Sequence, residues 1–124
     1  MIQRHKIPRR FPRVRARRPV LVRLLADEQR EMEEITRTGS VGLGGCMFES
    51  PQEVGYGSLL ELMISFPEGV ARTDGRVVWE KRRLGGKVDV GVEFLSLGPL
   101  ERKLLATTIR KGKSGASSRP SRPR

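Results

Sequence analysis

The sequence predicts an all-β fold: a six-stranded antiparallel β-barrel with a C-terminal α-helix and disordered basic tails. Three observations point there. Over six short segments apolar residues alternate with polar ones, as they do along strands with one buried face. Glycine, proline and polar turn residues separate those segments. After Gly98-Pro99 the period lengthens from two residues to about 3.6, that of an amphipathic helix. Short antiparallel strands joined this way are best satisfied by closing into a barrel, which leaves no free edge. A chain of 124 residues suits one domain, and with 36% hydrophobic but only 5% aromatic residues its core must be mainly aliphatic.

The elements come in order along the chain. Residues 1–12 are expected to be a flexible basic arm, because Pro8 and Pro12 disfavour helix and nothing apolar repeats. Strand character begins at Pro19, where Val20, Val22 and Leu24 alternate with Leu21, Arg23 and Leu25. Asp27 to Arg30 reads as a polar turn, and Glu31 to Thr38 as the second strand. A glycine loop over 42–45 leads to a short strand, Cys46-Met47-Phe48, stopped by Ser50-Pro51. Leu60, Leu62, Ile64 and Phe66 form the clearest alternation in the chain, ended by Pro67-Glu68-Gly69. Val70 to Lys81 is the fifth strand, with Val77 and Trp79 expected on one face and Val78 on the other. Trp79 is then a core residue or part of the surface under the helix. Arg82 to Gly86 makes a hairpin turn into Val88, Val90, Val92 and Phe94. Pro99 and Glu101 suit a helix start, and Leu100, Leu104, Leu105, Thr108 and Ile109 its buried face. Barrel and helix are expected over 13–111, and a disordered basic tail over 112–124.

Charge is unevenly placed. Residues 1–18 hold eight basic residues and no acid, and 111–124 hold five and none. The stretch between has 12 basic and 14 acidic residues, a net of −2 out of the chain's +11. The positive charge thus belongs to the two ends, a pattern of arms that order on a ligand or remain solvated. Weak, salt-sensitive nucleic-acid binding by these tails is expected from the same charge. No segment has the roughly 18 apolar residues that span a bilayer. The N-terminus lacks the apolar stretch of a signal peptide, and the single cysteine, Cys46, rules out an intrachain disulfide. A cytoplasmic location is expected.

Catalytic constellations do not emerge. His5, the only histidine, has no second ligand near it, so neither a metal nor a cofactor is expected. Ser40 lacks the strand–elbow–helix setting of a hydrolase nucleophile, and Gly42-Leu43-Gly44-Gly45 lacks the lysine of a P-loop. No enzyme is expected. There remains a cluster of arginines, Arg9, Arg10 and Arg13, with Ser40, Gly42, Gly44 and Gly45 about one hairpin further on. A guanidinium can grip a phosphate, or the O6 and N7 edge of guanine, through two hydrogen bonds. Glycines let backbone N–H groups approach an anion. Both Arg9-x-x-x-Arg13 and Arg13-x-x-x-Arg17 present such a pair.

These segments, in this order, resemble the PilZ domain, a bacterial receptor for cyclic di-GMP. Arg9-Arg10-Phe11-Pro12-Arg13-Val14 looks like the family's RxxxR arm, and its interval to Pro19-Val20-Leu21-Val22 singles out Arg9 and Arg13 as the pair. Gly75-Arg76-Val77-Val78-Trp79 and Val90-Gly91-Val92-Glu93-Phe94 look like later strands of its barrel. The family's second motif, D/N-x-S-x-x-G, aligns with Ser40 at the acidic or amide position, Gly42 at the serine and Gly45 at the glycine, so only the glycine matches. A second frame puts Ser40 at the serine and Thr38 at the acidic position, with one extra residue before the glycines. The resemblance implies a receptor that binds cyclic di-GMP through Arg9, Arg10, Arg13 and the loop of Ser40, Gly42, Gly44 and Gly45, relaying the signal to a protein partner. The departures in the second motif allow an alternative, a ligand-independent adaptor of the same fold.

Overall fold

The computed structural model describes residues 12–25 and 32–118. Seven strands and one helix succeed one another: β1 (Arg13–Arg15), β2 (Pro19–Leu24), β3 (Glu33–Gly42), β4 (Gly45–Ser50), β5 (Leu59–Phe66), β6 (Gly69–Arg82), β7 (Val88–Phe94) and α1 (Pro99–Ser118). All pairings are antiparallel. Six strands close on themselves in the order β3-β2-β5-β6-β7-β4, with β3–β4 as the closing pair. The expected six-stranded barrel with a C-terminal helix is therefore present. The seventh strand, β1, lies outside the ring and pairs with the last residues of β3.

The alternation that marks the strands also builds the core. Val20, Val22, Leu60, Leu62, Ile64, Val88, Val90 and Val92 point inward and are buried, as are Cys46 and Phe48. Leu104, Leu105 and Ile109 of α1 are buried too. Val54, from the loop between β4 and β5, joins the core. The Glu80 carboxylate holds that loop by accepting from the backbone N–H groups of Val54 and Gly55. Leu100, expected on the buried face of the helix, is 61% exposed. It sits in the first turn, about 40° of helical rotation away from Leu104, on the edge of the face rather than in it.

Two strands carry an extra residue. In β3 the register with β4 shifts between Thr38 and Ser40, and in β6 that with β7 shifts between Val77 and Trp79. Each is a β-bulge, which reverses the inward–outward sense of the residues beyond it. The second bulge overturns the expected placing of Trp79 on the same face as Val77. Val77 is buried, whereas Trp79 pairs with outward-facing Gly91 and is only half-buried on the outer wall. A Cβ on Gly91 would overlap the indole, so the glycine is the seat of the ring.

The helix also runs further than expected, continuing past Lys111 to Ser118, seven residues into the predicted disordered tail. Its extension has a partner. A Cβ on Gly112 would stand 2.9 Å from Cβ of Val14, so the glycine allows α1 to rest directly on β1. The Lys111 ammonium meets the Glu68 carboxylate at 3.0 Å and ties the same part of the helix to the β5–β6 turn. The polar turn at 27–30 and the tail from 119 onward lie outside the described residues.

Candidate functional site

The site is built where β1 joins the barrel. β1 and β2 run along one edge of β3, joined by Ala16 to Arg18. Thr38 fixes that junction: buried in β3, it donates its hydroxyl to the Ala16 carbonyl and accepts from the Arg18 N–H at 2.9 Å. Arg18 reaches across to the Ser65 carbonyl and lies over the Phe66 ring, 5.7 Å from its centroid. The basic segment is thereby held at its C-terminal end, with β1 delivered to the tip of β3.

Arg13, Val14 and Arg15 stand opposite Gly42, Val41 and Ser40. Paired residues share a face of the sheet, so the bulge at Gly39 places Ser40 outward beside Arg15. Across the closing pair Ser40 opposes Met47, which opposes Gly91, which opposes Trp79. A row of outer-face residues therefore runs Arg15, Ser40, Met47, Gly91, Trp79 over five strands, an arc of roughly 19 Å at the usual strand spacing. Among the described residues the Ser40 hydroxyl has no hydrogen-bond partner and Arg15 no ion pair. Arg17 differs, meeting Glu49 at 3.7 Å, and Glu49 is shared with Arg83.

Gly42 and Gly45 are glycines for reasons of space. A Cβ on Gly42 would meet the Pro12 carbonyl oxygen at 2.8 Å and Arg13 Cγ at 3.1 Å. The arm's last residues thus lie where a side chain at position 42 would project. A Cβ on Gly45 would overlap the Val92 carbonyl oxygen, because β4 and β7 press together there. The expected glycine loop over 42–45 is consequently shorter. Gly42 ends β3, Gly45 begins β4, and only Leu43-Gly44 turns between them. The Gly44 carbonyl accepts from the Phe94 N–H at 2.9 Å. Of the two motif frames, the one that used Thr38 as a ligand group meets a buried, fully engaged hydroxyl. Ser40 is the outward-facing residue of the pair. Arg9 and Arg10 lie outside the described residues.

Cys46 sits just inside this wall. Burial pushes its thiol up to about 12, with the positive charge of Arg13 pulling the other way. The group is thus a neutral, inert hydrophobe at any ordinary pH. Arg76 and Glu93, 3.1 Å apart, form an ion pair on the next row. Among the described residues no cluster of His, Cys, Asp and Glu could hold a metal, and no helix is long and apolar enough to cross a membrane.

Sequence reading identified Arg13 and Ser40 but did not place Arg15 and Trp79 on one outer row with Ser40. The signal for Trp79 was hidden by the bulge at Val78, which period-two counting does not register.

A small closed antiparallel barrel with a C-terminal helix and an arginine-bearing strand at its β3–β4 turn defines the class of fold. The PilZ domain model matches residues 7–111, and the chain belongs to that family. Solved structures of similar fold include the inhibitor of motility MotI/DgrA of Bacillus subtilis, at TM-score 0.73 and 19% identity over 91% of this chain. This chain spans about half, 54%, of that protein. The PilZ domain of YcgR from Escherichia coli with c-di-GMP matches at TM-score 0.68 and 19% identity, covering 89% of this chain and 95% of the other. The MrkH–c-di-GMP complex of K. pneumonia matches at 0.68 and 15%, covering 90% and 55%. A search of the curated proteins finds no match by sequence.

Proposed function

We propose that this chain is a receptor for cyclic di-GMP that relays occupancy to a protein partner. The observation that carries the reading is the outer row from Arg15 through Ser40 to Trp79. It offers a cation, a hydroxyl and a flat aromatic ring along one continuous wall. Arg9, Arg10 and Arg13 approach the phosphates and guanine edges in this reading, since forked guanidinium groups match both. Arg15 adds a further cation beside Ser40. Trp79 supplies a stacking surface for a base, an interaction worth roughly 1–3 kcal/mol where it has been measured by truncation. The family membership and the c-di-GMP carried by the YcgR and MrkH structures support the same ligand. Ser40, Gly44 and Gly45 form the floor at the β3–β4 turn, and Gly42 makes room for the arm.

Titration calorimetry with cyclic di-GMP tests this, with the lone tryptophan as an internal reporter. Binding heat together with a change in Trp79 emission is the expected outcome. Absence of heat at high micromolar ligand in low salt overturns the proposal. One observation favours a second reading, a ligand-independent adaptor of the same fold. At Gly42 the arm occupies the space a side chain would need, so the family's serine hydroxyl is missing from this wall. Losing a contact of that kind costs roughly 1.5–3 kcal/mol when the partner is charged. Under the adaptor reading, partner binding survives loss of Arg9 and Arg13.

A further inference from the structure

The helix α1 turns one flank to the barrel and another to solvent. Leu104, Leu105 and Ile109 take the first. Pro99, Arg102, Lys103 and Ala106 fall at intervals of three and four residues and form a single stripe on the second. With Leu97 of the preceding loop they line an open groove of about 440 Å³. Its floor is apolar, from Leu97, Pro99 and Ala106, and its rim is basic. Arg110 continues the stripe one turn on and is exposed.

Many cations of the barrel wall are neutralised and the rim charges are not, a state they share with Arg15, Arg37, Lys81 and Lys87 among the described residues. Arg23, Arg72, Arg76, Arg82, Arg83 and Lys111 each meet a carboxylate. Arg102, Lys103 and Arg110 meet none among the described residues. Glu101, the acid of the first helical turn, folds back toward Gly98 instead, where a Cβ would stand 2.6 Å from its carboxylate oxygen. An apolar slot between unneutralised cations is complementary to an apolar side chain flanked by carboxylates.

We infer that this groove docks an acidic, amphipathic segment of a partner protein, with a Leu- or Phe-sized side chain on the Leu97–Ala106 floor and Asp or Glu against Arg102 and Lys103. The chain's own ends do not fit. Residues 1–18 and 111–124 carry thirteen basic residues between them and no acid. The acidic stretch 27–31 holds no large apolar residue. A bare phosphate ligand would use the cations and leave the apolar floor unfilled. The inference stands apart from the cyclic di-GMP reading, because every residue of the groove lies on α1 or its lead-in loop.

A displayed library of random dodecapeptides, selected on the full chain, tests it. The expected consensus has one large apolar residue within three positions of at least two acids. A fluorescein-labelled consensus peptide should then shift the amide resonances of Leu97, Arg102 and Ala106. Its affinity should fall at least tenfold in R102E/K103E, at exposed positions, and in A106R, at the half-buried floor, while cyclic di-GMP titration of both stays as in the parent chain. No consensus, a basic consensus, peptide shifts confined to other residues, or an affinity unchanged in both variants overturns the inference. Displacement of those same amides by cyclic di-GMP in place of peptide also overturns it.

Discussion

Two outer faces of the same barrel are built differently. Across β3, β2, β5 and β6 the charges close on one another. Arg23 bridges Glu33 and Glu61, both at 3.0 Å, and Glu61 also holds Arg72 at 2.7 Å. Across β1, β3, β4, β7 and β6 the row from Arg15 to Trp79 has no such ladder. Among the described residues a cation, a hydroxyl and an indole stand there without an ion pair, between the Arg76–Glu93 pair on one side and the Arg17–Glu49–Arg83 cluster on the other. The first face is self-neutralised and presents water with a finished surface. Along its central row the second leaves hydrogen-bonding and stacking capacity unused among the described residues. The same fold and the same pairing rules produce both, so the contrast lies in the choice of outward residues and in two bulges.

Breaking the barrel should abolish the distinction altogether. Phe48 is fully buried between the two faces, and Phe48→Ala should cost about 3–5 kcal/mol of stability, read by chemical denaturation. Arg13→Ala should act on one face only, weakening cyclic di-GMP roughly ten- to a hundredfold in calorimetry with the melting transition nearly unchanged. Gly42→Ser sharpens the comparison further. It restores the family's motif residue, yet its Cβ would crowd the Pro12 carbonyl at 2.8 Å. Amide exchange at Val14 and Arg15 should quicken roughly tenfold as β1 lifts, with β5 and β6 unaffected. The smallest effect belongs to the closed face. The hydrogen bond from Arg72, with the charge of Arg23 behind it, holds the Glu61 carboxyl below its ordinary value of 4.5. A depressed carboxylate stabilises the fold fully above that value and stops doing so as the pH falls through its folded value. Glu61→Gln should therefore flatten acid denaturation slightly below pH 4.5 and leave ligand affinity alone.

Most of the barrel was legible because its strands obey strict alternation. Val88 to Phe94 and Leu60 to Phe66 show their buried faces residue by residue, and both were located within a position. Each feature that escaped has a physical cause. β1 is Arg-Val-Arg, too short and too charged to signal a strand, and it forms because β3 offers it an edge. Trp79 escaped because one inserted residue inverts the sense of the pattern without altering composition. The helix beyond Lys111 is rich in Gly and Ser, poor formers on their own, and contact with Val14 rather than propensity accompanies its extension. In the candidate site, Arg13 and Ser40 were visible as chemistry, whereas the row that unites Ser40 with Arg15 and Trp79 exists only in the register of five strands.

The Gly112–Val14 contact has a thermodynamic corollary. β1 lies between the proposed arginine site and the helix, so any coupling between events at the two would run through it. Linkage is symmetrical: whatever factor an occupant of the arginine site imposes on the binding of α1 to a third molecule, that molecule must impose on the occupant. A glycine with no side chain thus sets the contact through which two distant equilibria would be obliged to share one coupling constant.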